Sequence, residues 1–99
     1  MERHNVTRSG SRPYQFTGEI VDPGGKVPVG PGRWDDYRIW RTQQGRWVGQ
    51  VARITIWEGS QNEYLAIQKS TRQEVAEWIA EQAPVFATEL LEDYPETVD

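Results

Sequence analysis

The segment from Tyr37 to Gln82 constrains the fold most, because three extended patterns and one helical pattern follow each other within it. The extended patterns are separated by turns rich in Gln, Gly, Ser and Asn, and Gly45 can supply the positive φ that a short hairpin needs. In chain order, the predicted strands cover residues 37–42, 46–57 and 63–69, and a helix begins at Thr71.

The second predicted strand alternates as a strand with two different faces should. Ala52 points to one side, whereas Val51 points to the other, and the alternation continues to residue 57. Upstream, Trp47 and Val48 are both apolar and Gly49 follows them, so a bulge is predicted there. In the third strand Leu65 and Ile67 are expected to point inward.

The predicted helix has a clear start and a clear end. Thr71 and Glu74 fit a capping box, in which the Thr71 hydroxyl accepts a hydrogen bond from a free backbone N–H at the helix start. Pro84 ends the helix and can begin a second short one. The apolar stripe that would cover the sheet consists of Val75, Trp78 and Ile79.

The N-terminal part of the chain contributes less to the predicted fold. Residues 14–21 alternate as a half-buried strand, and residues 22–25 form a turn. Lys26–Val29 can form a short returning strand. It must lie at the edge of the sheet, because Pro28 has no N–H to donate to a neighbouring strand. Residues 1–12 are almost free of apolar side chains and are expected to form a flexible tail.

These patterns predict an α+β fold. It is a three- to four-stranded antiparallel sheet with one C-terminal helix on one face, followed by a second short helix after Pro84. The single domain covers residues 13–94, and residues 95–99 form a frayed acidic end.

Net charge is −4, but the charges are unevenly distributed along the chain. Residues 1–73 hold all eleven basic residues and seven acidic ones, hence +4, whereas residues 74–99 hold eight acids and no base. Such a division predicts a basic surface and an acidic one. An ordinary solvated acidic helix is the alternative interpretation.

The sequence offers no catalytic constellation, and we expect a protein that is not an enzyme and uses no cofactor. Cysteine is absent, and His4, the only histidine, lies in the predicted tail. Asp35 and Asp36 are adjacent, but without histidine or cysteine nearby no metal site is predicted. No apolar run reaches the ~18–20 residues of a membrane span. We therefore expect a cytoplasmic protein without membrane association.

Tryptophan content is the more informative feature for function. Five tryptophans cannot all be buried in a domain of this size, and a helix covers only one face of a sheet. Trp40 shares a strand face with Arg38, and Trp57 shares one with Arg53 and Thr55. Exposed tryptophan beside arginine is typical of surfaces that stack on bases or bind a partner. Alternatively, both tryptophans pack against residues 14–29.

The Gly45-Arg46-Trp47 hairpin and the helix Thr71–Ile79 resemble the arm-binding N-terminal domain of tyrosine-type phage integrases over Tyr37 to Gln82. In that family a three-stranded sheet enters the major groove and reads bases from the face opposite the helix. The resemblance implies that the DNA-contacting residues of this chain are Arg38, Trp40, Arg53, Thr55 and Gln68.

Two functional hypotheses follow. In the preferred one the chain is a small protein-interaction module, an adaptor, regulator or inhibitor, whose acidic C-terminal helix engages a basic partner protein. The alternative is a nucleic-acid-binding regulatory module of phage or mobile-element type that uses the basic and aromatic sheet face. The acidic C-terminal part opposes this alternative, because phosphate neutralisation dominates such binding. The acidic residues assigned to the partner surface are Glu81, Glu89, Glu92 and Asp93.

Overall fold

The computed structural model describes residues 1–98, which form six β-strands followed by two α-helices. A short 3₁₀ turn at Pro84–Phe86 joins the two helices. The strands are β1 Glu2–Val6, β2 Tyr14–Asp22, β3 Val27–Gly30, β4 Arg33–Thr42, β5 Trp47–Thr55 and β6 Glu63–Lys69, and the helices are α1 Arg72–Gln82 and α2 Ala87–Leu91.

All strand pairs in the sheet are antiparallel. The order is β1-β2-β4-β5-β6, and β3 pairs with the first part of β4. β4 and β5 stay in register from Arg33 opposite Thr55 to Arg41 opposite Trp47, so the bulge predicted near Gly49 is absent. Trp47 and Val48 lie on opposite faces of the sheet. Each face has its own hydrophobic cluster, so an apolar side chain suits both positions.

The sheet curls so that its two ends approach each other. The Ser9 backbone N–H donates to the Tyr64 carbonyl oxygen at 2.8 Å, and the Tyr64 N–H donates to the Ser9 hydroxyl at 2.8 Å. The Gln50 side-chain amide donates to the Thr7 carbonyl oxygen at 2.9 Å. The segment after β1 therefore reaches β6, and the side of the sheet that bears Trp40 becomes its inner face.

The other side, the helix face, carries the larger hydrophobic cluster. Ile39 and Val51 are fully buried there beneath Val75 of α1. A Cβ atom at Gly49 would lie 2.5 Å from Cγ1 of Val75, so this glycine permits the close approach of α1 to β5. Phe86 packs edge-on against Tyr37 with ring centroids 4.7 Å apart. The segment after Pro84 therefore belongs to the core.

The smaller hydrophobic cluster lies on the inner face around Trp40, which is 5% exposed. Val6 from β1 and Val48 from β5 are buried against it. Phe16 meets Trp40 edge-on at 6.2 Å, and the His4 ring lies 5.4 Å from that of Phe16. The N-terminal hairpin thus covers the face that α1 leaves open.

The predicted α+β class, the capped helix and the second short helix agree with the structure. The Glu74 backbone N–H donates to the Thr71 hydroxyl at 3.2 Å, as a capping residue requires. The predicted count of three to four strands is too low. The short edge strand expected at residues 26–29 forms β3, whereas β1 was not expected, because pairing through backbone groups leaves little apolar signal in the sequence.

The terminal segments differ from the sequence-based expectation in part. Residues 2–6 form β1, paired with β2 from Glu2 opposite Gly18 to Val6 opposite Tyr14, where a flexible tail was expected. Backbone pairing with β2 and burial of Val6 hold this polar segment in the sheet. Residues 95–98 form neither helix nor strand, and Asp99 lies outside the described residues.

Candidate functional site

The helices and the segment that follows them present a surface rich in carboxylates, which we call the acidic helical layer. All of its carboxylate side chains are exposed. Within residues 1–98 the one ion pair joins Arg53 to Glu63, so no carboxylate of this layer is paired with a cation. The members of the layer are Glu74, Glu77, Glu81, Glu89, Glu92, Asp93 and Glu96.

A groove of about 590 Å³ lies within this layer, between α1 and the segment that follows α2. Leu91 and Tyr94 supply its apolar part, and both are half-buried against the core. Glu77 and Glu96 contribute carboxylates to its walls. The groove therefore combines apolar surface with negative charge.

The local sequence explains why the groove has this composition. Val75 and Ile79 of α1 turn toward the sheet, so Glu77, between them in sequence, must point outward. After α2 the chain turns at Tyr94, whose N–H donates to the Leu91 carbonyl oxygen at 3.0 Å. This turn brings the end of the described chain beside α1.

The four acids assigned to the partner surface from the sequence, Glu81, Glu89, Glu92 and Asp93, are all exposed in this layer. None of them lines the groove. Sequence reasoning missed Glu77 and Glu96, the carboxylates that do line it. Their place depends on how the final segment folds back, which no local pattern indicates.

The predicted basic and aromatic face does not form one surface. Arg38 lies opposite Gln50 and Trp40 opposite Val48, whereas Arg53 lies opposite Asp35 on the other side of the same strand pair. Because successive side chains of a strand point to opposite faces, Arg38 and Arg53 face away from each other. The register, which the sequence leaves open, decides this separation.

On the inner face the predicted residues are Arg38, Trp40 and Gln68. Trp40 is buried by the N-terminal hairpin and is not available for stacking. Arg38 and Gln68 are exposed, with β5 between their strands. Of the three, only the two polar side chains can meet a ligand.

Arg53 has a structural role on the helix face. Its Nη1 is paired with Glu63, and its Nη2 donates to the Gln82 carbonyl oxygen at 2.8 Å, which binds the sheet to the C-terminal end of α1. Burial raises the pKa of Asp35, and the charge of Arg53 opposes that rise. Arg53 and Thr55 also line a cavity of about 420 Å³ at this end of the sheet.

Trp57 lies beyond the end of β5 and is 51% exposed. Its indole N–H donates to the Pro31 carbonyl oxygen at 2.8 Å, and its backbone N–H donates to the Thr55 hydroxyl at 3.2 Å. The side chain is therefore held between two loops. Trp57 is close to Thr55 but does not form a common surface with Trp40, which is buried in the inner-face cluster.

Asp35 and Asp36 project to opposite faces of β4 and do not converge. Asp36 is buried, and its Oδ1 has no hydrogen-bond partner among the described residues. Residues 1–98 contain no group of three or more histidine, aspartate or glutamate side chains placed to hold a metal ion.

Comparisons with protein-family models, with curated proteins and with solved structures find no match to this chain. Neither helix of the described residues has the length and apolar character needed to cross a membrane.

Proposed function

We propose that this chain is a small non-enzymatic protein-interaction module whose acidic helical groove engages a basic segment of a partner protein. The observation that carries the proposal is the groove: apolar surface from Leu91 and Tyr94 lies beside unpaired carboxylates. Apolar surface at the centre of an interface supplies affinity, and the surrounding charges supply specificity and association rate.

The chemistry of the groove defines the partner. An exposed acidic rim attracts lysine and arginine, whereas Leu91 and Tyr94 require an apolar side chain between those charges. The fitting partner is a basic amphipathic segment, docked as a helix or an extended strand against the groove. Its binding weakens as salt screens the exposed charges.

The test uses a fluorescein-labelled amphipathic peptide made of lysine and leucine, with the leucines on one face, which is titrated with the full chain. The variant Glu77→Gln with Glu96→Gln keeps side-chain size and removes two carboxylates from the groove. Exposed ion pairs contribute about 0.5 kcal/mol each, so loss of two of them should weaken affinity about fivefold. Tyr94→Ala should weaken binding further by removing apolar surface.

The matched control is Glu2→Gln with Glu58→Gln, since both residues are exposed and lie outside the helical layer. It changes net charge equally and should leave affinity within about twofold. Equal weakening by both pairs would mean that net charge alone attracts the peptide, and the proposal would fail. Charge substitutions are preferable to truncation after Gln82, because truncation would remove Phe86 from the core.

A further inference from the structure

Five basic residues converge at one end of the sheet, where the β4–β5 hairpin, the start of β1 and the end of β6 meet. None of them was assigned a binding role from the sequence. Two acidic residues, Glu2 and Glu19, belong to the same end. We call the five residues the basic end: Arg3, Arg41, Arg46, Lys69 and Arg72.

The basic end holds a cavity of about 410 Å³ between β1, β2 and the β4–β5 turn, with lining residues from both faces of the sheet. Arg3 and Arg46 are among the residues that line it, and no acidic residue lines it. The amides of Gln43 and Gln68 add further donors and acceptors. Phe16 contributes an aromatic ring. Such a lining can bind anionic oxygens and the polar edges of a base.

On the helix face, the basic end is organised around Trp47. Arg41, Trp47 and Lys69 lie side by side across three strands. The guanidinium carbons of Arg41 and Arg72 lie 5.7 Å and 6.0 Å from the indole centroid. Neither arginine forms an ion pair within residues 1–98. Cation–π contact therefore holds both arginines at the Trp47 ring.

The nearby carboxylates do not neutralise this cluster. Glu19 lies opposite Arg41 in the β2–β4 register without forming an ion pair. Glu74 accepts a hydrogen bond from the Thr71 hydroxyl at 3.0 Å and belongs to the helix cap. The basic end keeps an excess of positive charge on a chain whose net charge is negative.

We propose that the basic end binds the phosphate backbone of a single-stranded nucleic acid, with one nucleotide entering the cavity between Arg3 and Arg46. A row of cations that continues past the cavity to Arg41 and Arg72 fits a strand with successive phosphates better than one small anion. Bases of a single strand are free to enter a cavity, unlike those of a duplex. This site shares no residue with the acidic groove.

The experiment titrates the full chain with fluorescein-labelled oligothymidylate of twelve nucleotides at 50 to 200 mM salt. With four phosphate contacts, at Arg3, Arg46, Arg41 and Arg72, log K should fall against log salt with a slope of about −3. The variant Arg41→Ala with Arg46→Ala should weaken binding and make the slope shallower by about 1.4, because two contacts are lost. Far-UV circular dichroism should stay unchanged, since both side chains are exposed.

The matched control is Lys26→Ala with Arg33→Ala, two exposed cations outside the basic end. It should leave the slope unchanged. In an ¹⁵N–¹H spectrum the indole signal of Trp47, identified by Trp47→Phe, should shift on binding, and that of Trp57 should not. Equal losses in the two double variants, no binding at 50 mM salt, or a shift of the Trp57 signal alone would overturn the proposal.

A parallel titration with inorganic phosphate distinguishes the source of the phosphate. The oligonucleotide should bind at least a hundredfold more tightly than the free ion, because it engages several cations at once. If both bind equally, the site holds a single free phosphate and the assignment to a nucleic-acid strand is wrong.

Discussion

At the residue scale, Gly24 is placed where no other amino acid fits. Its φ is +64°, and a Cβ atom there would lie 1.8 Å from the Tyr37 carbonyl oxygen. Gly24→Ala should therefore lower the free energy of unfolding by more than about 2 kcal/mol, measured in urea. Gly25→Ala is the control, because a Cβ atom at Gly25 meets nothing within 4 Å. Similar losses in both variants would contradict this account of the turn.

Tyr37 links stability to alkaline pH. Burial raises the pKa of its phenol, and the hydrogen bond that it donates to Asp22 Oδ2 at 3.0 Å adds to the rise. In the unfolded chain the phenol ionises near pH 10, so its contribution to stability is complete below that pH and is lost as pH rises toward the folded pKa.

Tyr37→Phe should therefore cost about 1 kcal/mol of unfolding free energy at neutral pH through the lost hydrogen bond. Above about pH 10 the variant should lose stability less steeply than the parent chain. Urea unfolding between pH 7 and 11 measures both effects. Parallel curves over the whole range would show that the phenol is not protected in the folded state.

The two tryptophans of the predicted face mark the limit of residue-level prediction. Trp40 and Trp57 each share a strand face with an arginine and a threonine, yet one is 5% and the other 51% exposed. The difference arises because Val6 and Phe16 cover Trp40 from strands that are distant in sequence. Strand alternation specifies which residues share a face, but not what covers that face.

At the element scale, β1 is the strand that the sequence predicted least well. Val6 is 3% exposed inside the inner cluster, whereas Asn5 beside it is exposed. Val6→Asp should lower the free energy of unfolding by more than about 2 kcal/mol by burying a charge, and Asn5→Asp should change it by less than about 0.5. Thermal unfolding compares them. If neither substitution changed the free energy of unfolding, residues 1–12 would form a flexible tail.

The elements that could be predicted are those whose signals are local. The capping box at Thr71 and the proline at position 84 define α1, and Gly45 defines the β4–β5 turn. β1 could not be predicted, because its hydrogen bonds go to β2 and its own sequence is almost wholly polar. Pairing of this kind depends on tertiary context more than on propensity.

At the scale of the whole molecule, the structure separates the charges that the sequence only divides. The basic residues at one end of the sheet and the carboxylates of the helical layer form two distinct surfaces. The acidic surface could be predicted from composition. The groove could not, because it exists only where the chain after Leu91 folds back beside Gln73 and Glu77.

The central claim is that the acidic helical groove binds a basic amphipathic segment, and nuclear magnetic resonance tests it most directly. The lysine–leucine peptide is added to ¹⁵N-labelled chain at 50 mM salt, and backbone amide shifts are mapped onto the fold. We predict that the largest shifts occur at Glu77, Leu91 and Tyr94 and diminish at 300 mM salt. Larger shifts on the sheet than in the groove, or none at 50 mM salt, would contradict the claim.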